Sequence, residues 1–257
     1  MHCRTRWIAS PFVRALAGCA ALLVASLPLG ACATYVPPAG RADLSSISSV
    51  SMQESFAAKP AAHFPAAIAT ARVQASGYSS WSTDRVGGVY GRGRYSVISV
   101  REVEEDQQLA AVAGLPQVHG VVPISTLLLP TNLESDKDLR EAAARLKADM
   151  LFLYTFDTTL RDNDHSVTLS VLTLGVAPTH KVSVCCTASG LLIDTRTGFI
   201  YAAFDGSASR DLGTNAWESA EAADRARVEV EREAFTKLVE GFVRTWPAVV
   251  ERAGQGT

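Results

Sequence analysis

Several things are scarce in this chain, and each scarcity closes a class. Five cysteines in 257 residues are too few for a disulfide scaffold. Positive charge is not in excess: 24 lysines and arginines stand against 26 aspartates and glutamates, net −2, which argues against the basic face of a nucleic-acid binder. The hydrophobic share of 47% is that of a globular protein, not of a polytopic membrane protein. Motifs that carry chemistry are missing as well. There is no G-x-S-x-G elbow, no H-E-x-x-H and no C-x-x-C in the sequence, so nucleophilic hydrolysis, zinc proteolysis and dithiol exchange lack their usual signatures.

What the chain does have lies first at its amino end. Arg4, Arg6 and Arg14 precede an almost wholly apolar run, Ala15–Ala31, of 17 residues. That is short of the ~20 a spanning helix needs, and Pro28 and Gly30 interrupt it. It ends in Leu29-Gly30-Ala31-Cys32, which resembles the lipobox of bacterial lipoproteins. The resemblance implies cleavage between Ala31 and Cys32 and a diacylglycerol on the Cys32 sulfur. A second match, Leu16-Ala17-Gly18-Cys19, follows Pro11 and Arg14 and so has too little apolar sequence before it. Cleavage removes three arginines and no acid, leaving 21 basic against 26 acidic residues, a net of about −5. Acyl chains stabilise the anchor by ~0.8 kcal/mol per buried methylene, so two or more hold firmly. Ala33 is not the aspartate that, by resemblance to enterobacterial lipoproteins, retains a protein in the inner membrane. The outer membrane, with the protein facing the periplasm, is the expected address.

Residues 32–65 are expected to be the lipidated cysteine and a flexible tether. The Pro37-Pro38 pair, five serines between Ser45 and Ser51 and the Ala/Pro run at 57–67 show no sustained periodicity. Flexible-coil scaling of ~5–6 Å × √n gives such a tether a typical reach of ~30 Å.

One α/β (α+β) domain is expected over residues 66–253, with a short tail, 254–257. Strand patterns cover 66–76, 94–100, 118–129, 150–160 and 181–194, with a further strand over 199–207. Residues 161–164 are expected to turn into the next strand, and 195–198 into another. Helices are expected at 104–113 and from a cap at Ser135 or Asp136 to about 148. The longest helix is expected over 217–246, ended by Pro247, with Val228, Phe235, Leu238, Val239, Phe242 and Trp246 on one stripe. The order predicts a mixed sheet with two short helices and the long carboxy-terminal helix packed on it.

Four features invite a chemical reading, and for each a plainer one fits better. Gly87–Gly93 lacks the spacing of a phosphate loop and precedes a strand, so a flexible loop is expected. Asp162, Asp164 and His165, with Asp157 upstream, have the makings of hard-metal ligands, but Asp-Asn-Asp is also turn chemistry, and no metal is expected. His63, His119, His165 and His180 scatter over connections and strand ends. Cys185-Cys186 is the odd feature. Neighbours in a strand point to opposite faces, which puts Cys186 with Val182 and Val184 and Cys185 with Ser183 and Thr187. A vicinal disulfide, and so a redox pair of Cys185 and Cys186, is the strained alternative.

Three stretches form a hydrophobic framework: residues 114–118 leading to 124–130, Leu146–Tyr154 (LKADMLFLY), and Leu191–Gly198 (LLIDTRTG). On these the chain resembles uncharacterised proteobacterial lipoproteins of the rhombotarget type. It is also similar to the periplasmic domain shared by the curli-secretion lipoprotein and the amino-terminal domain of the Tol-Pal β-propeller protein. The polar end 253–257 departs from the apolar tail of the rhombotarget type. The resemblance implies fold more than chemistry. The leading expectation is a non-enzymatic interaction or envelope-assembly module without a cofactor. Its partners would be the membrane, through the lipid, and an envelope protein. A periplasmic enzyme with an unrecognised site and an accessory subunit of a secretion system are the alternatives.

Overall fold

The computed structural model of the protein describes residues 40–47, 51–101, 103, 105–164, 180–214 and 219–254. The lipobox, the apolar run before it and His165 lie outside them. In chain order the described elements begin with α1 (Leu44–Ile47), α2 (Met52–Ala57), β1 (Ala66–Ala75), α3 (Thr83–Val86), β2 (Val89–Tyr90), β3 (Arg92–Gly93) and β4 (Tyr95–Ile98). Then come α4 (Glu105–Ala113), β5 (Val118–Pro123), β6 (Asn132–Leu133) and α5 (Asp136–Arg145). Three long strands, β7 (Met150–Asp164), β8 (His180–Asp194) and β9 (Ile200–Thr214), precede α6 (Ser219–Gly254).

As expected, the sheet is mixed, with the long terminal helix packed on it. Its hub is β1, whose alanines and β-branched residues let helices approach from both sides. One edge of β1 runs parallel to β7, Ile68–Ala71 against Met150–Leu153. The other edge is shared: Ala66–Thr70 pairs in parallel with β5, and Arg72–Ala75 pairs antiparallel with β4, outside which β2 lies. β7, β8 and β9 follow as an antiparallel meander of fifteen-residue strands.

Two cores result. Under α6 the sheet presents Ile68, Phe152, Tyr154, Phe156 and Phe204 to Phe235, Leu238, Phe242 and Trp246. Phe242 holds the centre, with ring centroids 5.1 Å from both Phe152 and Phe204 and stacked on Trp246 at 5.6 Å. Such pairs add to plain burial. The opposite face is built of smaller residues, with Ala69, Val73, Leu151 and Leu153 packed against Leu139, Ala142 and Ala143 of α5. Helix α5 starts where expected, because Ser135 and Asp138 close a capping box. Gly206 is required by close approach: a Cβ there would lie 2.3 Å from the Ala234 carbonyl oxygen. A side chain at that point would hold the helix off β9.

Five expectations change. Helix α6 runs through Pro247 to Gly254; the buried stripe continues with Val249 and Ala253, and their burial offsets the hydrogen bond that proline removes. The stripe also passes through Arg227 and Glu231 rather than Val228. Residues 161–164 are strand, not turn, because Arg161–Asp164 pair with Ser183–His180. β5 ends at Pro123, short of Leu129, where a single turn at Thr126–Leu128 is capped by Ser125. The glycine-rich run is ordered against β6, with Arg92 and Arg94 donating their amides to Thr131 and Leu133, and Gly91 (φ 93°) packs against Leu133.

The stretch expected as tether touches the sheet at two places. Gly40–Ala42 enters antiparallel to β1: the Ala75 amide donates to the Gly40 carbonyl, and the Ala42 amide donates to Thr155 Oγ1 at 3.0 Å. Lys59–Ala62 is held by the 194–201 region at the other end. Between them α2 carries its own capping box, Ser51 with Glu54, and buries nothing.

Candidate functional site

The chemistry-bearing side chains of the described residues gather in two buried clusters, and a groove lies apart from both. The first cluster sits where α6 crosses the outer half of the long strands. Arg227 and Glu231, one turn apart, are 0% and 1% exposed. Arg227 donates from Nη1 to Glu231 Oε2 and from Nε to Asp224 Oδ1, each at 2.9 Å. Glu231 Oε1 accepts from Thr158 Oγ1 at 2.8 Å. From β1, the Arg72 guanidinium comes to 3.7 Å from Glu231, donates to the Tyr78 hydroxyl and lies 4.6 Å from the centre of the Phe156 ring. Each carboxylate oxygen of Glu231 therefore faces a donor. Burying two guanidiniums and a carboxylate is tolerable only with such pairing. Nearby, Gln74 replaces a missing rung of the sheet. Beyond Ala71 the strands β1 and β7 part, and the Gln74 amide donates to the Phe156 carbonyl while accepting from the Phe156 N–H and the Thr155 hydroxyl.

The second cluster is a clasp at the other end of the sheet. Asp194 Oδ1 accepts from the amides of Arg196 and Thr197, forming the turn that Gly198 (φ 74°) completes. Its Oδ2 accepts from the Ala61 amide at 2.7 Å and the Tyr201 hydroxyl at 2.9 Å. Burial, reinforced by the Asp194 carboxylate, pushes the Tyr201 phenol well above its usual range. Asp149 accepts from Arg196 Nη1 and the Ala67 amide, and His63 lies 3.7 Å away. Thr197 donates to the Lys59 carbonyl. Two buried carboxylates have the raw material of acid–base catalysis, yet three of their four oxygens accept from backbone amides and the fourth, Asp149 Oδ1, accepts from the Arg196 guanidinium. The arrangement fastens Lys59–Ala62 to the sheet.

The groove lies between α4 and α6. It has a volume of about 580 Å³; Ala111, Val239 and Val243 supply its apolar surface, and Gln107, Glu240 and Arg244 form a polar rim. Gln108 spans it, donating to Thr236 Oγ1 at 3.1 Å. A smaller cleft of about 280 Å³ opens where β4 and β5 diverge from β1, with Arg72, Arg101, Ser99, Ser125 and Thr126 in its wall. Its described lining holds no carboxylate, imidazole or thiol to act as a general base.

Cys185 and Cys186 take the opposite faces expected of strand neighbours. Both are free, Cys185 exposed and Cys186 buried. Burial, with the Glu231 carboxylate adding to it, pushes the Cys186 thiol up to about 12. The structure therefore does not bring the two sulfurs together as a redox pair. Asp162 and Asp164 pair along β7, and among the described residues no group of three or more His, Cys, Asp and Glu is placed to hold a metal. His119 is exposed on β5. Cys32 and Ala31 lie outside the described residues. Among the described residues no helix is long and apolar enough to cross a membrane.

Sequence reading missed the Arg72–Glu231–Arg227 cluster. Its trace was present: Arg72 sits mid-strand in AAIATARVQA, and Arg227 and Glu231 fall at i and i+4 on the stripe that continues to Phe235, Leu238 and Phe242.

No family model matches the chain, and no curated protein matches it. Among solved structures the chain is loosely similar to a DUF330-family protein from Xanthomonas campestris, with 10% identity, TM-score 0.36, and 77% of this chain and 92% of that one covered. A neuraminyllactose-binding hemagglutinin homologue from Helicobacter pylori stands at 9% identity and TM-score 0.36, with 77% and 91% covered. A minor lipoprotein from Acinetobacter baumannii stands at 11% and 0.29, with 71% and 92% covered. Scores of this size describe a loosely shared chain path and carry nothing about function.

Proposed function

We propose that the protein is a lipid-anchored envelope lipoprotein acting as a non-enzymatic interaction module, held through Cys32 at the outer membrane and facing the periplasm. The anchor rests on Leu29-Gly30-Ala31-Cys32 behind a basic start and an apolar run too short to span. The observation that carries the module reading is the contrast between the two polar clusters and the groove. Asp149, Asp194 and Glu231 spend their oxygens on structural bonds, whereas the groove between α4 and α6 leaves apolar surface in reach of a partner side chain. Apolar surface rimmed by polar residues is the usual character of a protein-binding face.

The experiment is site-specific crosslinking in cells from Gln107 and Glu240 on the groove rim, with Asp205 on β9 as the control. The module reading expects one adduct from both rim positions and none from Asp205. It also expects Val243→Arg to abolish that adduct in a protein that thermal melting shows to be folded. Adducts that ignore Val243→Arg would overturn the groove as the docking face.

A further inference from the structure

One helix of the chain stands off the fold with its apolar side uncovered. Helix α2 has no buried residue, and its Met52 and Phe56 are 77% and 86% exposed. They are four positions apart, so they form a ridge on one side of the helix, ~6 Å from each other along its axis. Of the exposed large apolar side chains among the described residues, no other two share a helix. Six residues are well below the ~12–15 that an isolated helix needs in water. This one is nonetheless specified locally, because Ser51 and Glu54 close a capping box on it. A capped, amphipathic turn that covers nothing is the form of a segment completed by a groove elsewhere.

The groove between α4 and α6 matches it. Val239 and Val243 are likewise four positions apart on α6, with Ala111 of α4 in the same lining, so a third helix can lay its ridge between the two. The charges match as well. Along the segment an acid, Glu54, comes before Phe56 and a base, Lys59, after it; along α6 an acid, Glu240, precedes a base, Arg244, and all four are exposed. Laid antiparallel to α6, the segment brings Lys59 toward Glu240 and Glu54 toward Arg244. Gln53 and Ser55 flank the ridge without charge, so none is buried under it. The segment does not fill the groove of its own molecule: Thr197 holds the Lys59 carbonyl at the turn between β8 and β9, and α2 buries nothing.

We infer that the groove takes helix α2 of a second copy of this chain. The inference rests on the reading of the groove as the docking face and names its occupant. Each copy carries both ridge and groove, so two copies that exchange ridges about a two-fold axis leave neither uncovered. The two ridges and the groove surfaces over them come to on the order of 1,000 Å², at the low end of specific interfaces. The dimer is therefore a transient one, and its outer ion pairs make it weaker in salt.

Photo-crosslinking in cells tests it on the full chain, co-expressed as two differently tagged copies. One copy carries p-benzoylphenylalanine in place of Phe56, an exposed position whose change leaves the core untouched. The expected product bears both tags, and its crosslinked peptide lies in α4 or in residues 236–244 of α6. Glu240→Lys in the second copy is expected to lower the yield several-fold, and Lys59→Glu in the first to restore it, a recovery that a misfolded variant does not give. A product within a single copy means that α2 closes on its own groove and overturns the inference. A product with a different protein, or no product, does the same. The groove itself is judged by the crosslinker at Gln107. If that adduct is a different protein and is lost with Val243→Arg, the docking face stands and the second copy falls; if the adduct ignores Val243→Arg, both fall.

Discussion

The inner and outer halves of β7 to β9 are built on different terms. From Met150 to Phe156 the strand β7 has no residue more than 3% exposed, because α6 covers one face and α5 and its surroundings the other. From Asp157 to Leu160 the α6 face is covered and the other is open. Thr158 and Cys186 turn inward, and Thr159, Cys185 and Ser209 stay exposed. The open face carries small polar rungs, Thr187 with Ser207 at 3.1 Å and Ser183 with Asp211 at 2.9 Å, in line with Ser189 and Asp205 at 2.6 Å just inside the boundary. Helix α6 reflects the same division, meeting the inner half with Phe235, Phe242 and Trp246 and the outer half with Arg227 and Glu231. One half is held by apolar burial, the other by pairing of charge.

Changes to either half test that division. Phe242→Ala opens the centre of the inner half and is expected to destabilise by about 3–5 kcal/mol, read by denaturant unfolding. A loss under about 1 kcal/mol would mean the aromatic cluster is not the main support. Glu231→Leu leaves two guanidiniums without their carboxylate and should cost about 3 kcal/mol, a loss that Glu231→Gln partly recovers by keeping the Thr158 bond. If Glu231→Leu is neutral or stabilising, the outer half is held by packing after all. Gln74→Leu strands the Phe156 N–H and carbonyl at the boundary between halves, at about 2 kcal/mol, and native-state amide exchange at Phe156 should accelerate. On the open face Thr187→Ala should stay within about 0.5 kcal/mol. Smallest of all is a chemical asymmetry without stability cost. A thiol reagent at pH 8 should modify Cys185 in the native protein and Cys186 only after denaturation, since burial holds the Cys186 thiol up at about 12. Modification of both at the same rate would contradict the buried placement.

Much of this division was legible in the sequence. The run MLFLYTF is apolar on nearly consecutive residues, as a strand covered on both faces should be, and DTTLRDND is polar at every position but Leu160, which marks where that cover ends. The same polar composition misled at its end. Asp162-Asn163-Asp164 has turn composition, but fifteen residues of cross-strand pairing carry the strand through it, and local preference yields to the ladder. Pro247 misled for a related reason, since it marks a helix end only where nothing beyond it is buried, and Val249 and Ala253 are. Gln74 and the Arg72–Glu231–Arg227 cluster were beyond reach because their partners lie 73 to 159 positions away along the chain. Polar residues on an apolar stripe signal burial but do not name the partner. The segment around Gly40 carries too little periodicity to announce that it docks beside β1.

The proposed functional reading rests on attachment of the chain to a membrane through Cys32. Mass spectrometry of the amino-terminal peptide of the protein purified from cell envelopes tests it most directly. The account predicts a mature chain beginning at Cys32 and bearing a diacylglycerol, with both the modification and the processing lost in Cys32→Ser. A chain beginning elsewhere, or an unmodified Cys32, would contradict it.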